Sequence, residues 1–141
     1  MIHLPTAAGG RVRHLVRGGS VVERGTVVLR IEPESGPAEE IASPIDGIVV
    51  NQRLAGAVAP RYAMLVGVRR VVLATCAGRV RWIATLGPVG VTTLMALVDH
   101  EDAVRPHRAG GSGFVGEQFV RPGDRVEAGD PLVEIRSEEL A

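Results

Sequence analysis

Glycine and apolar residues recur at every third position in two separate stretches of the chain. Val16, Gly19, Val22, Gly25, Val28 and Ile31 fall at steps of three, and Val120, Gly123, Val126, Gly129, Leu132 and Ile135 repeat the series 104 residues later. Such glycines mark tight turns between short strands, because glycine takes positive φ without steric cost, and the apolar residues between them enter a small sandwich core. Composition narrows the fold further. Only 3% of residues are aromatic, so the core is built from Val, Leu, Ile and Ala, a set that fits the pleated surface of a sheet. The 18 glycines and 9 prolines read as turns, since no collagen-type period links them. An all-β protein is expected.

Internal similarity sets the organisation. Gly10-Arg11-Val12-Arg13 recurs as Gly78-Arg79-Val80-Arg81, Ile31-Glu32 is answered by Val98-Asp99, and Gly47-Ile48-Val49 by Gly113-Phe114-Val115. The offsets of 68, 67 and 66 residues differ only by short loop indels. Two tandem copies follow, residues 1–68 and 69–141, joined near Val68 to Arg70. The inner quarters are worn: Gly87 is displaced by one position, Thr92 stands where Gly25 stands, and Gly56 to Pro60 is shortened. A competing architecture pairs the two intact outer quarters in one split sandwich, with the middle as an insertion.

Within copy one, Ile41-Ala42-Ser43-Pro44-Ile45-Asp46-Gly47-Ile48-Val49 combines a proline that ends strand pairing with an Asp-Gly turn and a re-entering strand. This nonamer and the glycine cadence resemble the biotinyl and lipoyl carrier domains, which are barrel-sandwich hybrids. The resemblance implies two tandem β-sandwich domains, 1–68 and 69–141, each with a hairpin whose tip carries a lysine in the carriers. Here all 16 basic residues of the Lys+Arg class are arginine. Covalent biotin or lipoate is excluded, and no cofactor is expected. By the carrier spacing the attachment position falls on Asp102 in copy two and near Ser35 or Gly36 in copy one.

The copy-two tip, Asp99-His100-Glu101-Asp102-Ala103-Val104-Arg105-Pro106-His107, is the densest run of titratable groups in the chain. One reading is a solvated, charged hairpin. Another is a site in which His100 and His107 act with Asp99, Glu101 or Asp102 as acid and base or as metal ligands, although no H-x-x-x-H spacing is present. Metal binding stays open. Gly111-Ser112 adds a weaker resemblance to phosphatidylserine decarboxylase, which cleaves itself at a Gly-Ser bond to make a pyruvoyl group. The catalytic candidates are therefore Asp99, His100, Glu101, Asp102, His107 and Ser112. Cys76 corresponds to Ala8 and reads as a small packed side chain, His3 and His14 as strand-surface residues, and Trp82 as a packing contact.

Sixteen acidic residues balance the sixteen basic ones, so no concentrated basic field exists for nucleic acid. Apolar stretches such as 86–98 are too short to span a bilayer and contain Gly and Pro. A single cysteine and no basic, apolar leader at the start point to a reduced, cytoplasmic setting. Two functions are compatible with these features. One is an unmodified biotinyl/lipoyl-like docking, assembly or ligand-binding subunit in a biosynthetic or acyl-transfer pathway, partnered by a carrier-processing enzyme. The other is a small lyase, cyclase or decarboxylase served by the copy-two tip and Ser112. Exposed sandwich edges also invite homo-oligomers.

Overall fold

A computed structural model describes residues 1–137; residues 138–141, the end of the expected second copy, lie outside the described residues. All regular structure in it is β. The contacts divide the chain into two compact units, Met1–Arg69 and Arg70–Ala141.

In unit 1 the strands are β1 (Ile2–Pro5), β2 (Gly10–His14), β3 (Val21–Val22), β4 (Val27–Glu32), β5 (Glu39–Ala42), β6 (Gly47–Val50), β7 (Val58–Ala59) and the first half of β8 (Met64–Leu73). They form two sheets, β5-β4-β2-β7 and β1-β8-β6-β3. Between these lies one apolar cluster that includes Leu4, Val12, Val28, Leu29, Ile31, Val49, Leu65 and Val68. Alternation builds this core: in β2, Gly10 and Val12 are buried while Arg11 and Arg13 face solvent.

Unit 2 opens with the second half of β8 and continues with β9 (Gly78–Ile83), β10 (Pro88–Val89), β11 (Leu94–His100), β12 (Ala103–Arg108), β13 (Gly113–Gln118), β14 (Arg125–Val126) and β15 (Pro131–Arg136). Its sheets are β12-β11-β9-β14 and β8-β15-β13-β10, and its core includes Val80, Met95, Val98, Val126, Leu132 and Ile135. Strand for strand this is the pairing scheme of unit 1. Strand β8 serves both schemes, its residues 64–68 pairing with β1 and its residues 71–73 with β15.

The split-sandwich alternative does not hold. Strand β4 of the first outer quarter pairs with β2 and β5, and β15 of the last pairs with β13 and β8. Each cadence therefore stays inside its own unit, and its glycines have one common role. Gly19, Gly25, Gly123 and Gly129 have φ of 87°, 92°, 97° and 92°. Each is the third residue of a four-residue turn closed by a backbone hydrogen bond: Ser20 to Arg17, Thr26 to Glu23, Asp124 to Arg121 and Asp130 to Glu127. That is the position at which a type II turn requires φ above zero. In the worn quarters the third turn position is not glycine, and the two turns differ. Tyr62, equivalent to Gly129, takes φ of 61°, and the Gly90-to-Thr93 turn is closed without a glycine at Thr92 by the Thr93 amide bonding Gly90.

A second set of glycines marks close approach between strands. A Cβ on Gly47 would overlap the Arg69 carbonyl oxygen, and one on the equivalent Gly113 would overlap that of Arg136. Gly78 stands in the same relation to Asp99.

Candidate functional site

The hairpin β11–β12 carries most of the candidate residues. Its register pairs Asp99 with Val104 and His100 with Ala103, leaving Glu101 and Asp102 as a two-residue tip. Glu101 takes φ of 55° to close it. Asp102 is exposed at the apex. The corresponding segment of unit 1, residues 33–38 between β4 and β5, is longer and places Ser35 and Gly36 in the connection, Gly36 at φ of 91°.

The structure does not bring the candidates into one site. His107 lies at the base of the hairpin, five residues beyond Asp102, opposite Ala96. At about 3.3 Å per residue, five extended residues amount to roughly 16 Å. Its ring is only 3% exposed and is engaged elsewhere: Nε2 accepts the Thr75 amide at 3.0 Å and lies 3.1 Å from the Thr75 hydroxyl, while Nδ1 lies 3.1 Å from the Arg105 carbonyl. Because Nε2 accepts, the proton of the neutral ring sits on Nδ1 and is donated to Arg105. Burial lowers the pKa of His107 below its ordinary value, opposed in part by this bond to Arg105. The residue pins the β8–β9 loop to an edge strand. Unit 1 performs the same fastening with a carboxylate, Glu39 accepting the amides of Ala7 and Ala8 at 3.1 Å.

Ser112 is exposed in the β12–β13 connection, beyond the base of the hairpin. The tip carboxylates stand at the other end. Neighbouring Gly111 packs under the Arg70 guanidinium, which a Cβ would meet at 2.9 Å. Among the described residues no group of three or more His, Cys, Asp and Glu side chains is placed to hold a metal ion.

What does gather around the tip is a set of residues that sequence order scatters. Ala77, Gly78, Arg79, Asp99, His100, Glu101 and Arg125 line a depression of about 410 Å³. Gly78 lies close against the Asp99 backbone, where a Cβ would meet the Asp99 carbonyl. Register sets a row across three strands, Arg125 opposite Arg79 and Arg79 opposite Asp99, so these side chains share a face. Arg79 Nη1 donates to the Gly123 carbonyl at 3.1 Å. Asp99 is occupied by Arg81 from outside the row, at 3.0 Å. His100 Nδ1 donates to the Ala77 carbonyl at 2.6 Å, which fixes the ring and leaves Nε2 3.8 Å from Glu101 Oε1.

Unit 1 has the same depression at the same place, about 500 Å³, lined by Gly9, Gly10, Arg11, Glu32, Pro33, Glu34, Val58 and Ala59. There the row reads Val58, Arg11, Glu32. Arg11 donates to the Gly56 carbonyl at 2.7 Å, and Glu32 is held by Arg13 at 3.0 Å. The paired depressions escape sequence inspection because each draws on three strands about 20 and 26 residues apart. The repeat alignment does match seven residues of one depression to seven of the other, with Ala59 the one left over.

Of the remaining singled-out residues, His14 and Cys76 have structural partners, whereas Trp82 and His3 are exposed. His14 Nε2 donates to the Arg53 carbonyl at 2.8 Å. Cys76 is a free thiol packed against the unit 2 core, as Ala8 is against that of unit 1. Trp82 lies opposite Leu97 in the β9–β11 pairing and is 41% exposed, and His3 is exposed on β1. Among the described residues no helix is long and apolar enough to cross a membrane. No protein-family model, curated protein or solved structure matches the chain.

Proposed function

We propose that the chain is a tandem pair of biotinyl/lipoyl-type domains that has lost its carrier role and works as a docking subunit. The observation that carries the reading is the repetition of one strand-pairing scheme in both units, each raising a hairpin, in a chain without a lysine. A carrier domain is read by its processing enzyme at that hairpin. An unmodified hairpin keeps the shape and loses the nucleophile, so it engages an acyltransferase, carboxylase or dehydrogenase-like partner without becoming a substrate. The partner belongs to a biosynthetic or acyl-transfer pathway, and the setting is the cytoplasm.

Glu101 and Asp102 are the groups offered for recognition, because the tip exposes both while their removal disturbs no core residue. The alternative of a tip-and-Ser112 enzyme draws no support from a serine and carboxylates set at opposite ends of a hairpin.

The test is capture of purified acyltransferase, carboxylase and dehydrogenase components by the immobilised chain, wild type against a Glu101→Ser, Asp102→Ser double variant. Binding by the wild type that weakens about tenfold in the variant, the weight of one charge-assisted hydrogen bond, supports the reading. Equal binding by both forms overturns it, as does capture of none of the three components.

A further inference from the structure

The two depressions are built alike and walled differently, and the difference has a chemical direction. Val58 of unit 1 is replaced by Arg125 in unit 2, and Pro33 by His100. The carboxylate in each row is already engaged from outside, Glu32 by Arg13 and Asp99 by Arg81. What stays available in unit 1 is one arginine beside an apolar valine. In unit 2 it is two arginines directly opposite each other, Arg79 and Arg125.

Like charges placed directly opposite on neighbouring strands repel. Arg125 has a long ion pair, 3.9 Å to Glu127, in which both side chains are about two-thirds exposed. Arg79 has the Gly123 carbonyl and, among the described residues, no carboxylate partner. Its bond to Gly123 uses Nη1 and leaves Nη2 and Nε as donors. The ring of His100 is held by Ala77 through Nδ1, so Nε2 of the neutral ring is an acceptor and the donors of the site are the two arginines. The guanidinium groups of Arg79 and Arg125 thus line a concave site of about 410 Å³, within the range of small-ligand pockets.

We infer that the unit 2 depression binds a small molecule through a carboxylate or phosphate group clamped between Arg79 and Arg125. Arginine suits this because its planar fork matches such oxyanions in two-point fashion. Glu101, 82% exposed, stands beside the site. The site does not rest on the docking reading: it requires no partner protein, and its own test alters Arg125 and Val58, which lie outside the tip.

The experiment follows the arginine Nε–H signals of the full chain by NMR during titration with malonate and, separately, inorganic phosphate, at ionic strength held constant with sodium chloride. Saturable shifts confined to Arg79 and Arg125 are expected. Arg125→Val, which installs the unit 1 residue at its equivalent position, should weaken binding about tenfold or more. Val58→Arg, at an exposed position of unit 1, should create saturable shifts at Arg11. Binding to malonate alone assigns a carboxylate ligand, to phosphate alone a phosphate ligand, and to both the shared oxyanion. Wild-type affinity in Arg125→Val, non-saturating shifts spread over many arginines, or a Val58→Arg chain that leaves Arg11 unmoved overturns the inference.

Discussion

Replacing Gly47 by alanine isolates the close approach between strands from every other property of glycine. The added Cβ would overlap the Arg69 carbonyl oxygen, lie 2.6 Å from Val68 Cγ1 and lie 3.0 Å from the Arg69 carbonyl carbon. Gly47 does not have a left-handed backbone, so strain in φ contributes nothing. An ordinary contact needs at least 3.4 Å, and the obstacle is a peptide group that cannot rotate away. Overpacking of a core costs about 1–3 kcal/mol. Displacing β6 from β8 adds about 1 kcal/mol for each ladder bond weakened, so the expected loss is about 3–5 kcal/mol. A unit of this size has a total of only about 4–10 kcal/mol. Urea unfolding followed by far-UV circular dichroism should therefore move by at least about 1 M, given slopes of 1–3 kcal/mol per M. The matched control is Gly25→Ala, where φ is 92° and nothing lies within 4 Å of the added Cβ. Strain alone predicts about 1–2 kcal/mol there. If Gly47→Ala is no more destabilising than Gly25→Ala, close strand approach is not what requires glycine at position 47.

Three further outcomes are expected. Tyr62→Gly should stabilise the protein by about 0.5–1 kcal/mol in thermal unfolding, because relief of left-handed strain outweighs the added freedom of the unfolded chain; a lower melting temperature contradicts this. His107 should make stability pH-dependent: its unfolded pKa is the ordinary 6.5 and its folded pKa is lower. In the window between the two the unfolded state binds more protons, so the contribution is full above 6.5 and is lost as pH falls toward the folded value. Urea midpoints at about pH 7.5 and about pH 5.5 should accordingly differ less in His107→Gln than in wild type, and an equal decline in both removes His107 as the cause. Finally, incubation with a biotin or lipoate ligase should leave the intact mass unchanged, and an increase matching either cofactor would contradict the assignment of every Lys+Arg residue as arginine.

The parts of the fold that are legible in the sequence are those in which a single residue type meets a local backbone demand. The step-of-three glycines are visible because each turn needs positive φ at one position. Asp102 is found by counting because two-residue tips leave no slack. Tyr62 shows the limit of such reading: the backbone keeps the positive φ while the residue that signals it is gone. His107 shows another. It is close in sequence to the tip and looks like part of it, but each residue of an extended strand carries the chain away from the apex, and the inward turn of this ring occurs in a strand whose preceding four residues are all exposed. No alternation announces it. The row Arg125, Arg79, Asp99 depends on register between distant strands, and register has no local signal.

Strand β8 has a consequence for anyone who would take the protein apart. Domain seams are usually exposed linkers, and proteases find them first. Here the seam falls between Arg69 and Arg70, inside a strand in which Val68, Val71 and Val72 are buried. Trypsin, which cleaves after arginine, is offered two adjacent sites at the very place where the backbone is hydrogen-bonded and extended through the sheet. The first cuts should fall instead at turn residues such as Arg17 and Arg24, which open a unit from within. Limited digestion will then yield nicked chains and not a pair of separated halves, and recombinant fragments meant to hold one unit must choose which of them keeps β8 whole.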